Sequence, residues 1–397
     1  MNSNNIFQSL TLLKGWLERE DFEGYDTFDG LSSPLAGIFT LKVPFLRQVW
    51  QQGVRRFPIN LRPLLGIRPA KSSKGMGFIA QGYLRLFRAT GDEEYLRRMN
   101  GCLSWLEEQR ATGFKGYCWG NHFDYQARGG RIPKGTPTIV WTSLIGQSFL
   151  DAFEETQEER YFDISRGIAR FILEELGWTE TPSGICLSYI PRPGGKVERV
   201  DGIFRNSVHN SNMLGAAFLA RLSKTAGNRD WAEFSKRAVE FTIHDQLENG
   251  GWNYGLHPMF HWIDSFHTGY VLESLDTFIR STGDSDFQEN LKIGYQYFLE
   301  TFFESDGFPR YYDHKRRPID IQCASQGIQT LVNLSHLDSR SLDLAGKVAA
   351  WTIANMQDKS GYFYYRKYPL ITNKTPTLHW GQGTMFAALA VLYENEK

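Results

Sequence analysis

The chain has 397 residues, 41% hydrophobic and 14% aromatic, with 44 basic side chains against 44 acidic ones. That is ample apolar material for one large core, while the zero net charge offers no electrostatic case for nucleic acid or for an anionic membrane surface. No apolar run approaches the roughly 18 residues that a membrane helix needs, so no membrane insertion is expected.

The first twenty residues lack the basic start, apolar core and small-residue cleavage site of a secretory signal. Cys102, Cys118, Cys186 and Cys323 are scattered, with no CxxC pair and no disulfide framework, which points to a reducing cytoplasm. Residues 5–20 read as an amphipathic helix whose apolar stripe is Ile6, Leu10, Leu13 and Trp16. A turn-forming segment, 24–35, follows and carries Asp26 and Asp29. An ordinary Asx turn explains these two carboxylates as well as a place in a binding site does. The chain then runs in loop form through Asn60–Ile67 into Lys74, Gly75, Met76 and Gly77.

From there the sequence repeats. Apolar helical stems anchored on Gly82, Gly146, Gly215, Gly269, Gly327 and Gly383 recur about every 60 residues. The clearest, Gly269-x-x-Leu272-x-x-Leu275, has the spacing of a buried helix face. Each stem ends at a short break, as at Gly91-Asp92, Gly227-Asn228 and Gly283-Asp284, and a second helical stretch begins there. Longer loops rich in glycine and aromatics return the chain to the next stem, so loops and stem starts gather on one side.

A helical hairpin that cannot bury its own apolar face must stack on its neighbours, and six such hairpins can close into a ring. The expected fold is all-α, a single-domain (α/α)6 barrel over residues 1–397, in which 1–70 supplies an N-terminal helix and loops that close the ring. Because the sixth unit ends on its inner helix near Glu394, the missing outer helix is expected from 5–20 or from 35–52.

Two segments, Tyr25-Asp26-x-x-Asp29-Gly30-Leu31 and Leu61-Arg62-Pro63-Leu64-Leu65-Gly66, give the chain a resemblance to a group of bacterial and archaeal proteins of cell-surface polysaccharide biosynthesis clusters. Many of these carry the label δ-aminolevulinic acid dehydratase. That enzyme is a TIM barrel with zinc cysteines and a Schiff-base lysine, and the present sequence has no βα alternation. The resemblance implies a polysaccharide pathway with contact to other biosynthetic enzymes, and more distantly the architecture of six-hairpin glycosidases, polysaccharide lyases and sugar epimerases.

Six helix starts facing one cavity suit a hydroxyl-rich or carboxylated ligand. The stem starts offer Trp141, then His209, Asn210 and Asn212, then Trp262, Asp264 and His267. Later stems add Asp320, Gln322 and Gln326, and finally His379, Trp380 and Gln382. Preceding loops contribute His122, Asp124, Arg205 and Tyr312, and the N-terminal turn contributes Asp26. Planar aromatics stack on pyranose faces while amides and carboxylates take paired hydroxyls, so an oligo- or polysaccharide is the expected partner.

Asp264, His267, Asp320, His209, His379 and Tyr312 form the candidate acid/base set, and the remaining residues named above the candidate sugar-binding set. Asp264 and His267, three apart on one helix, can act as a carboxylate-oriented imidazole. Asp264 with Asp320 could form the two-carboxylate arrangement of a glycoside hydrolase, whereas the histidines with Tyr312 suit a lyase or epimerase acting on a uronate. Helix capping accounts equally well for Asp264, Asn210 and Asn212. No phosphate loop or dinucleotide fingerprint is present, and no cofactor is expected.

Three other readings remain open. One is a non-catalytic glycan-binding or scaffold protein. Another rests on the segments Gln246–Trp252 and Gln357–Phe363, which resemble the QW repeats of terpene cyclases. The third rests on Asp320, Cys323 and His379, which resemble the zinc ligands of protein prenyltransferase β subunits, although the spacing departs from that family and no metal is expected.

Overall fold

The computed structural model describes residues 3–127, 130–191 and 207–397. Helix α1 (Ser3–Arg19) buries Ile6, Leu10, Leu13 and Trp16 on one face. Two shorter helices follow, α2 (Ala36–Thr40) and α3 (Pro44–Arg56). Five hairpins come next: α4 (Ser73–Thr90) with α5 (Glu93–Glu108), α6 (Ile139–Thr156) with α7 (Glu159–Arg170), α8 (His209–Ala226) with α9 (Arg229–His244), α10 (Ser265–Thr282) with α11 (Gln288–Phe302), and α12 (Ile321–Asn333) with α13 (Ser341–Met356). Helix α14 (Thr384–Asn395) ends the series.

Helices α4, α6, α8, α10, α12 and α14 neighbour one another in that order, and α14 packs back on α4, so the inner ring is closed. Helices α5, α7, α9, α11 and α13 each lie outside their own hairpin partner. This is the all-α, single-domain (α/α)6 barrel that the repeat predicts. Helix α1 takes the sixth outer place, against α14 and α13, with Phe7 stacked on Tyr393 and the Ser9 hydroxyl donating to Gln357 Oε1 at 2.7 Å. Helices α2 and α3 instead pack on the 29–32 turn and on a small strand, β1 (Tyr125–Ala127), at the loop end.

Local chemistry explains the hairpins. The Asp92 and Asn228 side chains accept from the backbone N–H of Glu94 and Trp231, capping α5 and α9 straight after the breaks. The stem glycines let inner helices interlock. A Cβ at Gly82 would collide with the Phe386 ring, which joins the last inner helix to the first, and one at Gly146 would collide with Phe218 of α8.

Short antiparallel ribbons lie in the loops. Strand β1 pairs with β2 (Gly130–Ile132), and β3 (Trp178–Thr181) pairs with β4 (Gly184–Leu187). A three-stranded ribbon joins β5 (Ile319–Asp320), β6 (Arg366–Lys367) and β7 (Thr372–Asn373). No described helix is long and apolar enough to cross a membrane.

Candidate active site

Four inner helices begin with a side-chain cap: Ser72 on α4, Thr138 on α6, Asp264 on α10 and Asp320 on α12. The starts of α6 and α10, several of the loops at this end, the turn ahead of α14 and helix α3 line a cavity of about 580 Å³. Among the predicted residues, Asp26, Trp141, Trp262, Asp264, His267, Tyr312, His379 and Trp380 line it.

Asp264 does two things at once. Its Oδ1 accepts from the His267 backbone N–H at 3.0 Å, which is the helix cap, and its Oδ2 lies 2.7 Å from His267 Nδ1. The same Oδ2 accepts from the Trp262 indole N–H at 3.1 Å. The Asp264 side chain is only 1% exposed whereas His267 is 20% exposed, so at the cavity wall the carboxylate is the more buried, orienting group and the imidazole the more accessible one. Tyr254 and Phe266 flank that ring at 4.6 and 3.9 Å between centroids.

A second carboxylate–imidazole pair comes from the two ends of the sequence. Asp26 Oδ2 is in close contact with His379 Nδ1, and both side chains are buried. Burial works to raise the Asp26 pKa, but the adjacent His379 prevails and holds it below the ordinary value. For His379 burial prevails and brings the pKa down to about 4, so its ring is neutral near pH 7. His379 and Trp380 sit in a π-helical turn, Leu378–Gly383, ahead of α14, a distortion often found where side chains must be re-aimed. Trp141 meets the His379 ring edge-on at 5.4 Å.

The residues that place Asp26 are those that carry the family resemblance. The Arg62 Nε–H donates to both oxygens of Asp29 at 2.7 and 3.0 Å, and its terminal N–H donates to the Asp26 carbonyl at 2.7 Å. Asp29 Oδ2 in turn accepts from the Asp26 backbone N–H at 2.9 Å. The two segments are therefore halves of one buried clamp, and its product is the position of Asp26.

Two cations escaped the sequence reading. Arg55, on α3, lines the cavity, donates to the Tyr365 hydroxyl at 2.8 Å and lies 4.5 Å from the centre of the Phe28 ring. It has no carboxylate in salt-bridge range among the described residues. Lys74, in the first turn of α4, is 3% exposed and its Nζ lies among four aromatic rings: Trp141 at 5.0 Å, Tyr270 at 5.6 Å, Phe78 at 5.8 Å and Trp380 at 5.9 Å. Burial brings its pKa down to about 7, with Asp26 pulling the other way. A cation in a first helical turn opposes the helix dipole, and that misfit was the available signal.

Other predicted residues are placed elsewhere. Asp320 does not reach the cavity. Its Oδ2 accepts two N–H groups of Arg366 at 3.0 and 2.6 Å across the β5–β6 ribbon, and its Oδ1 caps α12. A hydrolase pair of Asp264 with Asp320 is therefore not formed. His209 and Asn210 lie behind the Asp264–His267 pair in a separate small void, and burial brings the His209 pKa down to about 4. Asn212 accepts from the Leu187 N–H and donates to the Ala238 carbonyl, tying β4 to α9.

The amides are likewise structural. Gln322 donates to the Tyr270 hydroxyl, and Gln382 holds the Phe363 backbone from both sides. Gln326 donates to Glu273 at the opposite end of the barrel. Asp124 is held by Arg131 and by the Lys134 N–H, outside the cavity wall. His122 is partly buried, within the electrostatic reach of Asp26. Arg205 lies outside the described residues. The zinc reading also disperses, since Asp320 is bound to Arg366 and His379 to Asp26. Among the described residues no group of three or more His, Cys, Asp or Glu is placed to hold a metal ion.

No protein-family model and no curated protein matches the sequence. Solved structures do match in fold. Cellobiose 2-epimerase from Bacillus thermoamylovorans superposes with a TM-score of 0.65 over 82% of this chain and 88% of its own, at 11% identity. A GH76 α-mannanase from Bacteroides thetaiotaomicron gives 0.63 over 82% and 86%, at 13% identity. A polysaccharide lyase gives 0.61 over 100% and 98%, at 11% identity. All are similar to this chain in the six-hairpin toroid, and at such identities the likeness establishes the fold alone.

Proposed function

We propose that this protein is a carbohydrate-active enzyme that moves a proton at a sugar carbon, using His267 and His379 as its acid/base pair. The observation that carries the reading is that, among the described residues, the two carboxylates lining the cavity, Asp26 and Asp264, are each engaged with an imidazole. Glycoside hydrolysis of the two-carboxylate kind needs a carboxylic acid and a carboxylate facing the bond. Here the carboxylates orient histidines instead, which suits abstraction and return of a proton beside a carbonyl or carboxylate, the step shared by sugar epimerases and polysaccharide lyases.

The rest of the cavity supports that chemistry. Arg55 offers a cation to a uronate carboxylate or to the negative charge that develops on proton loss. Trp141, Trp262 and Trp380 offer flat faces for pyranose rings. The relatives in fold are named as an epimerase, a mannanase and a lyase, all acting on saccharides. The resemblance carried by the Asp29–Arg62 clamp adds a place in cell-surface polysaccharide synthesis, with a uronic-acid-containing saccharide as substrate. Four free buried cysteines suit a reducing cytoplasm.

The test is incubation with uronic-acid oligosaccharides and with reducing disaccharides in deuterated water. Expected is deuterium entering one ring or carbonyl-adjacent carbon, or ultraviolet absorbance from a 4,5-unsaturated uronate, with either signal lost in His267→Ala and His379→Ala. Release of new reducing ends without exchange or absorbance would sink the proton-transfer reading in favour of hydrolysis. Saccharide binding with no turnover of any kind would sink the enzyme.

A further inference from the structure

The zero net charge of the chain conceals a segregation. Residues 30–91 contain ten lysines and arginines and no aspartate or glutamate. The same stretch carries the exposed apolar surface: ten of the nineteen exposed large hydrophobic side chains among the described residues fall between 35 and 64. Isolated exposed leucines need no explanation, but a patch of this kind marks a contact surface.

The patch has three neighbouring parts. Helices α2 and α3 pack on each other and present Ile38, Leu41 and Phe45 at 67%, 72% and 70% exposure. Leu41 and Lys42 form the tip between them and are held at φ of 47° and 59°, a left-handed backbone that these side chains rarely adopt. Leu64, 81% exposed, adjoins this hairpin because Ser33 donates to the Leu65 carbonyl at 2.7 Å. At the other end of α3, Asn373 donates to the Phe57 carbonyl at 2.7 Å, which brings in the β6–β7 turn with Leu370, 97% exposed. Basic side chains are set among these positions, with Lys42, Arg56 and Arg68 exposed on the α2–α3 side and Lys374 on the ribbon. Two carboxylates lie within reach of these cations and are otherwise engaged: Asp124, near Arg47, is bound to Arg131, and Asp358, near Lys374, accepts from the Tyr364 hydroxyl.

We propose that this face, built from the α2–α3 hairpin and the β6–β7 turn, docks on an anionic lipid surface, with Leu41, Phe45, Leu64 and Leu370 entering the headgroup boundary and the surrounding lysines and arginines meeting the anionic headgroups. Protruding apolar side chains with exposed cations set among them match what peripheral membrane attachment requires, namely apolar burial reinforced by attraction to anionic lipid. A soluble protein partner would have to supply a matching acidic rim, and a second copy would bring like charge against like charge across a two-fold axis. Since α3 also gives Gln52 and Arg55 to the cavity wall, a docked molecule holds its cavity beside the headgroups.

The experiment is co-sedimentation of the full chain with phosphatidylcholine vesicles, with and without phosphatidylglycerol, read alongside sedimentation velocity of the protein alone. Expected is binding that depends on phosphatidylglycerol, weakens strongly at about 0.5 M salt, and falls by roughly a hundredfold in the double variant Leu41→Glu, Phe45→Glu. Both substituted side chains are largely exposed, so the melting temperature of the variant should match the wild type, and the reading needs no turnover and stands apart from the proposed reaction. Equal binding to both vesicle types, binding unchanged in the double variant, or a self-associated state that the double variant dissolves would each overturn the proposal, the last by assigning the face to a second copy.

Discussion

Lys74 is a buried amine in a first helical turn, and replacing it with methionine should stabilise the protein. The side chain is 3% exposed, no acceptor or carboxylate bonds to Nζ among the described residues, and its pKa is brought down to about 7 from 10.5. At about 1.4 kcal/mol per pH unit, that gap corresponds to roughly 5 kcal/mol for keeping the charged form in the fold. Contact with four aromatic faces, worth about 2 kcal/mol when desolvated, acts in the opposite direction. Burial wins, so Lys74→Met, close in length and apolar, should gain roughly 3 kcal/mol at pH 7.

The pH dependence gives the sharper check. Between about 7 and 10.5 the unfolded chain still holds the Lys74 proton while the folded chain has released it, so wild-type stability rises with pH across that window. The advantage of Lys74→Met should therefore shrink by about 1.4 kcal/mol per pH unit as pH rises from 7. Urea unfolding of both proteins over a series from about pH 7 to pH 10 measures this. A variant less stable than wild type at pH 7, or a difference that stays constant with pH, would refute the assignment of Lys74 as a buried, unpaired amine. The same substitution should depress turnover, since it removes the cation beneath Trp141 and Trp380, whose retention has no stabilising rationale.

Asp264→Asn keeps an acceptor for the His267 backbone N–H but sets an amide NH2 against the Trp262 indole N–H that Oδ2 accepts, so it should cost about 1–3 kcal/mol, and Asp264→Ala, which loses the cap as well, should cost at least as much. Both should reduce kcat by about 10²- to 10⁴-fold if the carboxylate orients the imidazole, and an Asn variant at the wild-type rate would leave Asp264 as a cap alone. His209, perturbed by burial alone, has its pKa at about 4 against an ordinary 6.5, so the stability it contributes is complete above pH 6.5 and lost as pH falls toward 4. The loss is about 3 kcal/mol at most; denaturant curves of wild type and His209→Phe at neutral and acid pH should converge by that amount, and parallel curves would contradict it. Gly146→Ala drives a methyl into the Phe218 ring and should lower stability by about 1–3 kcal/mol in calorimetry, a neutral result meaning that α6 and α8 are not interlocked there.

The ring was legible because its information is local. Each stem repeats a glycine and an apolar spacing, and each break sets a capping side chain, so the hairpins declare themselves one at a time. The Asp264–His267 pair was legible for the same reason, three residues apart on one helix. Asp26–His379 was not readable as a pair, since nothing in spacing connects the second turn of the chain with the last inner helix. Asp320 shows the opposite error. It occupies the same cap position as Asp264, and equivalence in the repeat suggested equivalence in role, but the β5–β6 ribbon sets Arg366 against it and neutralises it. Arg55 carried no signal, because α3 lies outside the repeat and its place over the cavity is a matter of tertiary packing.

What makes a particular site out of a widely used barrel is then the segment that does not repeat. Hairpins supply Trp141, Asp264, His267, His379 and Trp380, while Asp26 and Arg55 arrive from residues before the first hairpin. A buried ion pair such as Asp29–Arg62 is weak evidence for stability, since desolvation consumes much of its attraction, yet removing one partner strands the other charge at a cost of about 3–5 kcal/mol. Arg62→Met alone should therefore destabilise strongly. The double variant Asp29→Leu, Arg62→Met strands no charge and should recover most of that loss, but it also removes the bonds that hold the Asp26 backbone from both sides. Recovered stability with turnover still depressed would identify the clamp as a device for positioning Asp26 against His379. If the double variant regains both, the clamp only packs the turn and Asp26 is held by other means.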